Sequence, residues 1–191
     1  YIGFSADILH EGHINILHHA SKLGKVIVGL LTDKAITSYR KLPHLNYNQR
    51  EVILKNIRFV EKVIPQNNPK TMIINKQQII ESIKRVSILS NKNTKQVALS
   101  ISNNNILIKS EDKENTASGK ETIPCNYTQE DITIGYNAQF LTEAINNIEG
   151  NEIKICFNKP TTATTIFPTK INKDQETLML VMPIRLNENE Q

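Results

Sequence analysis

FVEKVIPQNNPKTMIIN, residues 59–75, decides the fold of this chain, because the patterning on its two sides differs in kind. VEKVIP (60–65) reads as a strand, QNNPK (66–70) as a turn-rich link and MIIN (72–75) as a second short strand. The 66 residues ending at Gln66 hold all five histidines, nine Lys/Arg against five Asp/Glu, and four asparagines. The remaining 125 hold no histidine, fourteen charges of each sign, and eighteen asparagines. The net charge of +4 therefore resides wholly in the first segment, which argues against a chain-wide basic surface for nucleic acid.

Outward toward the N-terminus the pattern is strand, helix, strand. YIGFS (1–5) reads as a short buried strand, and residues 11–23 as a helix with Ile14, Leu17, Ala20 and Leu23 near helical spacing and Gly24 after its end. KVIVGLL (25–31) is a continuous apolar run, as expected of a parallel strand covered on both faces. Thr32-Asp33 caps a short helix through Tyr39, RKLPHLN (40–46) is a loop, and residues 47–58 form another amphipathic helix before the strand at 60–65. This βαβαβ order predicts a Rossmann-like α/β half domain over residues 1–66.

Outward toward the C-terminus the periodicity changes. Residues 76–89 predict a helix with Ile79, Ile80, Ile83, Val86 and Ile88 on its apolar face. VALSIS (97–102) and NILIKS (105–110) are alternating strands joined by Asn103-Asn104, a hairpin turn. EDKENTASG (111–119) reads as a polar loop, followed by strands in ETIPCNY (121–127) and DITIGY (131–136). Asn137 caps a helix over 138–148, Gly150-Asn151 turns, and strands follow at 152–158, 164–169 and 178–186. The order predicts an α+β module over residues 67–191, so the fold class is two-part.

The longest apolar runs, VIVGLL (26–31) and LMLVM (178–182), are too short to span a bilayer, and no signal-peptide pattern opens the chain. Tyr1 falls where a strand should already be running, so the start reads as trimmed by roughly one to three residues. Cys125 and Cys156 form no CxxC and no Cys/His cluster; the expectation is two buried thiols in a reducing bacterial cytoplasm and no metal site.

The sharpest chemical signal in the first segment is SADILHEGH (5–13). His10 and His13 flank Gly12 where a strand hands over to a helix, and backbone N–H groups at a helix start favour phosphate. Two imidazoles there can donate to phosphoryl oxygens as their charge rises. An HxxH pair alone is more often two polar helix-start residues without chemistry. With VIVGLLTDKAI, YNQREVIL and FVEKVIPQ following, residues 1–66 resemble the N-terminal half of the HxGH nucleotidyltransferases. The resemblance is to the cytidylyltransferase branch, and within it to the phosphoenolpyruvate mutase-associated type. It implies transfer of CMP from CTP, with Mg²⁺, to a phosphonate or phosphorylated alcohol. His10 and His13 would be the catalytic pair, and Ser5, Ala6, Asp7 and Gly12 would line the nucleotide pocket. Lys41 and Arg50 would be phosphate or acceptor contacts. The family's second half, with its Ser/Thr-rich phosphate motif, has no counterpart after Gln66, so activity is expected to be absent or very weak. His18 and His19 read as surface positions and His44 as a loop residue.

In the second segment the carrying stretches are VIPQNNPK, SIKRVSILSNKNTKQVALSISNNNILI, DITIGYNAQFL and the terminal LMLVMPIRL. Residues 63–191 resemble the third, C-terminal domain of the bacterial DNA polymerase III β subunit, the sliding clamp. LMLVMPIRL alone would read as an ordinary core strand. The resemblance instead implies a groove that captures peptides of DNA polymerase and the clamp loader. Its lining would be Val63, Asn137, Phe140, Thr161, Ala163, Leu180, Val181, Met182, Pro183, Ile184 and Arg185. Lys84 and Arg85 would face duplex DNA, contacted non-specifically and only in a full, homo-oligomeric ring. This module would need no cofactor and no membrane. KVIPQ (62–66) fits both parents, so the chain reads as a chimera joined there, by recombination or in the assembly of the sequence from fragments.

Overall fold

The computed structural model describes residues 1–37, 42–170 and 177–186. The chain divides into two compact units, Tyr1–Asn67 and Asn68–Gln191.

The first unit runs β1 (Ile2–Phe4), α1 (Glu11–Leu23), β2 (Val26–Leu31), α2 (Asp33–Thr37), α3 (Tyr47–Lys55) and β3 (Val60–Gln66). Its three strands form a parallel sheet in the order β1-β2-β3. Leu17 of α1 and Leu54 of α3 are fully buried with Val28 and Leu30 of β2, and Val63 of β3 closes the same cluster. Gly29 is demanded by close approach. Tyr1 lays its ring where a Cβ would stand and donates its hydroxyl to Gln66 Oε1 at 2.8 Å. Helix α3 ends at Lys55, three residues before the expected Arg58, because Asn56 caps it: its N–H reaches the carbonyls of Val52, Ile53 and Leu54.

The second unit runs β4 (Lys70–Asn75), α4 (Lys76–Ser87), β5 (Gln96–Ser102), β6 (Asn105–Asp112), β7 (Ala117–Pro124), β8 (Ile132–Asn137), α5 (Ala138–Asn146), β9 (Glu152–Phe157), β10 (Thr164–Pro168) and β11 (Met179–Val181). Two antiparallel four-stranded sheets result, β11-β10-β9-β4 and β7-β6-β5-β8, and the two helices pack against each other. The element order is that of the α+β reading. Asn103 and Asn104 both adopt positive φ, 45° and 61°, which the tight β5–β6 hairpin requires. The core is aliphatic, with Ile79, Ile83, Ile106, Ile108, Ile134, Ile145, Ile153 and Ile166 all fully buried. Tyr136 of β8 and Thr164 of β10 share a buried hydroxyl–hydroxyl hydrogen bond of 2.6 Å that ties one sheet to the other. Asn68 fastens the start of the unit, its Nδ2 donating to the carbonyls of Cys156 and Ala163.

Three expectations are corrected. The polar stretch 111–119 is mostly strand: β6 continues to Asp112 and β7 begins at Ala117, paired over its whole length with β6. Its side chains are polar because β7 is an edge strand whose backbone does the pairing. Ile88 is off the apolar face, 79% exposed just beyond the end of α4. LMLVMPIRL is a strand only over Met179–Val181; it then leaves β10 and forms a single bridge from Ile184 to Gly135 of β8.

Candidate functional site

His10 is the N-cap of α1, in extended conformation, and His13 stands at the third helical position. Each imidazole is used by the helix. His10 Nδ1 accepts from Gly12 N at 3.2 Å, and His13 Nδ1 accepts from His10 N at 3.4 Å. This is the reciprocal arrangement of a capping box with histidines in both places. A neutral ring that accepts through Nδ1 carries its proton on Nε2, so both rings are set in one tautomer. The rings lie 4.2 Å apart between centroids, and His13 meets Phe4 edge-on at 5.0 Å. Burial, and then the neighbouring His10, push the His13 pKa below its ordinary 6.5, which keeps it neutral. Gly12 has a local reason beyond any ligand: a Cβ there would stand 2.9 Å from His10 Cε1.

Other residues of the expected nucleotide pocket are drawn inward. Ala6 is buried with a positive φ of 50°. Asp7, 9% exposed, accepts from Leu45 N at 3.0 Å and His44 Nδ1 at 3.1 Å. Arg50 is corrected outright, because its side chain is fully buried. Its Nε donates to Leu45 O at 2.9 Å, its Nη1 to Leu31 O at 2.9 Å and to Ser5 O, and its Nη2 pairs with Asp33. A guanidinium so committed is a staple, not a phosphate ligand. Lys41 lies outside the described residues. His18 stacks on Phe59 with centroids 4.9 Å apart, while His19 is exposed. Sequence reasoning missed Asp33, His44 and Leu45 because no local spacing marks their convergence on Arg50 and Asp7.

In the second unit the terminal segment runs along the ends of both sheets. Thr164 to Ile166 of β10 pair with Met179 to Val181, and Ile184 N then donates to Gly135 O at 2.8 Å. Val181 is buried, Leu180, Pro183 and Ile184 are half-buried, and Met182 and Arg185 are exposed. Helix α5 packs against β11. Asn137 caps that helix, its Oδ1 accepting from Gln139 N and Phe140 N while its Nδ2 holds Thr94 O. Phe140 is 64% exposed and Met182 41%, both large apolar side chains facing water. Thr161 is exposed, and Ala163 is buried with its carbonyl held by Asn68. Val63 is corrected: it sits in the core of the first unit and is no part of the second unit's surface.

Lys84 and Arg85 both lie in the last turn of α4. Arg85 grips Glu121 of β7 through Nε at 3.1 Å and Nη2 at 2.7 Å, and its hydrogen bond holds the Glu121 carboxyl below the usual range. Lys84 is exposed, and open hollows of 580 Å³ and 410 Å³ between α4 and α5 are bordered by Lys84 and by Lys92 and Lys95 respectively. Sequence reasoning missed those last two, which lie in the loop after α4.

Among the described residues no group of three His, Cys, Asp or Glu is placed to hold a metal ion, and no helix is long and apolar enough to cross a membrane. Burial pushes the Cys125 thiol up to about 11 and raises that of Cys156, so neither is a ready nucleophile.

Comparison with known proteins divides the chain as its patterning does. Residues 61–185 match the family described as DNA polymerase III beta subunit, C-terminal domain. The beta sliding clamp of Haemophilus influenzae is 26% identical over 150 residues, 73% of this chain and 40% of that protein. The beta sliding clamp of Synechococcus elongatus is 25% identical over 129 residues, 65% of this chain and 33% of that protein. The glycerol-3-phosphate cytidylyltransferase of Bacillus subtilis is 40% identical over 63 residues, 32% of this chain and 49% of that enzyme. The chain thus spans less than half the length of each. Among solved structures, a sliding clamp from Bartonella birtlesii bound to griselimycin superposes with a TM-score of 0.59 at 24% identity. That match covers 64% of this chain and 32% of the clamp. One from Pseudomonas aeruginosa gives 0.60 at 22%, covering 76% and 36%. These likenesses establish the fold of the second unit.

Proposed function

We propose, because this chain belongs to the family of the C-terminal domain of the DNA polymerase III beta subunit, that its second unit is a docking module of a DNA sliding clamp. Short peptides of a DNA polymerase and of a clamp loader would seat between the terminal segment and α5. The observation that carries this reading is the exposure of Phe140 on α5 and of Met182, the residue that follows β11, while α5 and β11 pack against each other. A flexible thioether beside an aromatic ring suits aliphatic and aromatic anchors from several partners. Lys84, with Lys92 and Lys95, would contact phosphates of duplex DNA without reading sequence, once copies close into a ring. Arg85 is a weaker candidate because Glu121 holds it.

The test is titration of a labelled pentapeptide bearing leucine and phenylalanine anchors against the parent chain, Met182→Ala and Phe140→Ala. Binding that weakens in both variants supports docking. Identical behaviour of all three would return the terminal segment to a purely structural role.

A second reading is favoured by one specific observation, the paired imidazoles at the start of α1 with their protons directed to Nε2. We read the first unit as the leading half of a Rossmann-like cytidylyltransferase domain. Its ligands would be CTP with Mg²⁺, and its acceptor a phosphorylated alcohol or phosphonate. Two imidazoles and a helix start make one wall of a triphosphate site. Little or no pyrophosphate is therefore expected from CTP, Mg²⁺ and glycerol 3-phosphate. Robust release that His13→Ala abolishes would overturn that expectation and make the chain an enzyme.

A further inference from the structure

The terminal segment crosses from one sheet of the second unit to the other, and one residue governs whether it can land. β11 is hydrogen-bonded to β10 as far as Val181; three residues later the chain is bridged to β8. Ile184 N donates to Gly135 O at 2.8 Å. A Cβ on Gly135 would stand 2.7 Å from Leu186 Cδ2, 2.9 Å from Leu186 Cγ and 2.8 Å from the backbone oxygen of Ile184. The first two contacts belong to a side chain that can swing away. The third is backbone and cannot yield without lifting residue 184. Gly135 shows no positive φ, so the glycine serves space and not an unusual backbone conformation.

The position of Gly135 gives this contact its consequence. Two residues further on, β8 ends at Asn137, whose side chain caps α5 and holds the amide of Phe140. One strand end therefore launches the helix that carries Phe140 and seats the segment that carries Met182. Between the two seats, Met182 and Pro183 form the crossing, fixed on one side by Val181 in the core and on the other by Ile184 on β8.

We propose that Gly135 is a positioning residue for peptide docking: its missing side chain is the seat that locks residues 184–186 onto β8 and so fixes the crossing that carries Met182 to the strand whose end launches the helix of Phe140, before any peptide arrives. The inference rests on the docking reading above. A preformed wall avoids the ordering that binding would otherwise require, so its loss is felt as affinity without the loss of any contact atom of the peptide.

The experiment uses the full chain and two readouts, hydrogen exchange at the Ile184 amide and titration with the labelled leucine–phenylalanine pentapeptide. Gly135→Ala is expected to speed Ile184 exchange and weaken peptide binding, each by about tenfold or more. Amides of β5 and β6 should keep their protection. Gly135→Ala with Leu186→Ala relieves two of the three contacts and should recover part of both losses. Ile184→Pro removes the donor and sets its ring against the Gly135 carbonyl, so it lifts residue 184 from β8 with Gly135 itself intact, and should weaken the peptide even if Gly135→Ala does not fold. Ile184 protection unchanged in Gly135→Ala overturns the seat. Peptide affinity unchanged in Gly135→Ala or Ile184→Pro overturns the positioning role. A parent chain that binds no peptide overturns the docking reading and this role with it, and the parent titration alone separates that failure from the others.

Discussion

Arg50 reaches Asp33 from a fully buried position, Nη2 to Oδ1 at 2.5 Å, while its other nitrogens hold the carbonyls of Ser5, Leu31 and Leu45. The carbonyls end three separate stretches: the exit of β1, the exit of β2 and the entry to α3. A planar fork of donors can satisfy all three at once, which an ammonium cannot. The staple therefore stands in for the larger core that a unit of this size lacks.

Replacing Arg50 by Met should release the first unit alone. Buried carbonyls and Asp33 would lose their donors, and removal of one partner of a buried pair destabilises by about 3–5 kcal/mol. Asp33 is partly exposed, so the lower end applies. Arg50→Lys should recover little of it. Urea unfolding of both variants, followed by exchange at β2 and β5 amides, should show loss at β2 with β5 unchanged. Loss at both, or neither, would contradict the staple.

The cap of α1 gives the first unit a pH dependence. The folded His13 pKa lies below its ordinary 6.5, so between the two values the unfolded chain binds more protons. Stability contributed by His13 is full above 6.5 and falls as pH drops through that window toward the lowered value. Protonation also removes the Nδ1 acceptor that closes the cap. Urea unfolding of the first unit at about pH 7.5 and about pH 5.5 should show the loss, and His13→Gln should flatten most of it. An equal slope in the variant would assign the effect to another group.

What the sequence makes legible here follows how local the cause is. Alternation in VALSIS and NILIKS, the Asn103-Asn104 turn and the Asn137 cap each act within a few residues, and each shows in the fold. β7 is hard to see in the sequence because seven of its eight residues escape full burial, leaving only Ile123 as an inward signal. Arg50 reads as a phosphate contact because the three carbonyls it serves, at 5, 31 and 45, meet only in the folded chain. Gly12 and Gly135 carry the same lesson. Each is a glycine because of a neighbour's atoms, His10 in one case and Ile184 in the other.

The two units should resist proteolysis unequally. Among the described residues the core cluster of the first holds seven buried apolar residues and that of the second twenty-five. A domain near sixty residues buries only about 60% of its unfolded surface, and both edges of the first sheet lack a neighbouring strand among the described residues. Limited thermolysin digestion followed by mass spectrometry should trim residues 1–67 while 72–170 survive. Equal survival of both would show that the first unit draws stability from beyond its own core.

The bond between Tyr136 and Thr164 should measure how firmly the two sheets of the second unit are joined. Both groups are buried, and burial holds the Tyr136 phenol well above its ordinary range, so it remains a hydroxyl at any working pH. Tyr136→Phe keeps the ring and removes the oxygen, which leaves the Thr164 hydroxyl buried without its partner. An unsatisfied buried hydroxyl destabilises by about 1–3 kcal/mol. Thr164→Val alone should strand the tyrosine oxygen in the same way. The double variant strands neither, and it replaces a polar pair by apolar groups of nearly the same shape. It should therefore unfold closer to the parent than either single variant does. Equilibrium urea unfolding of the four proteins, followed through the second unit, supplies the cycle. Strict additivity of the two losses would mean that the hydroxyls act through separate neighbours and that this pair does not join the sheets.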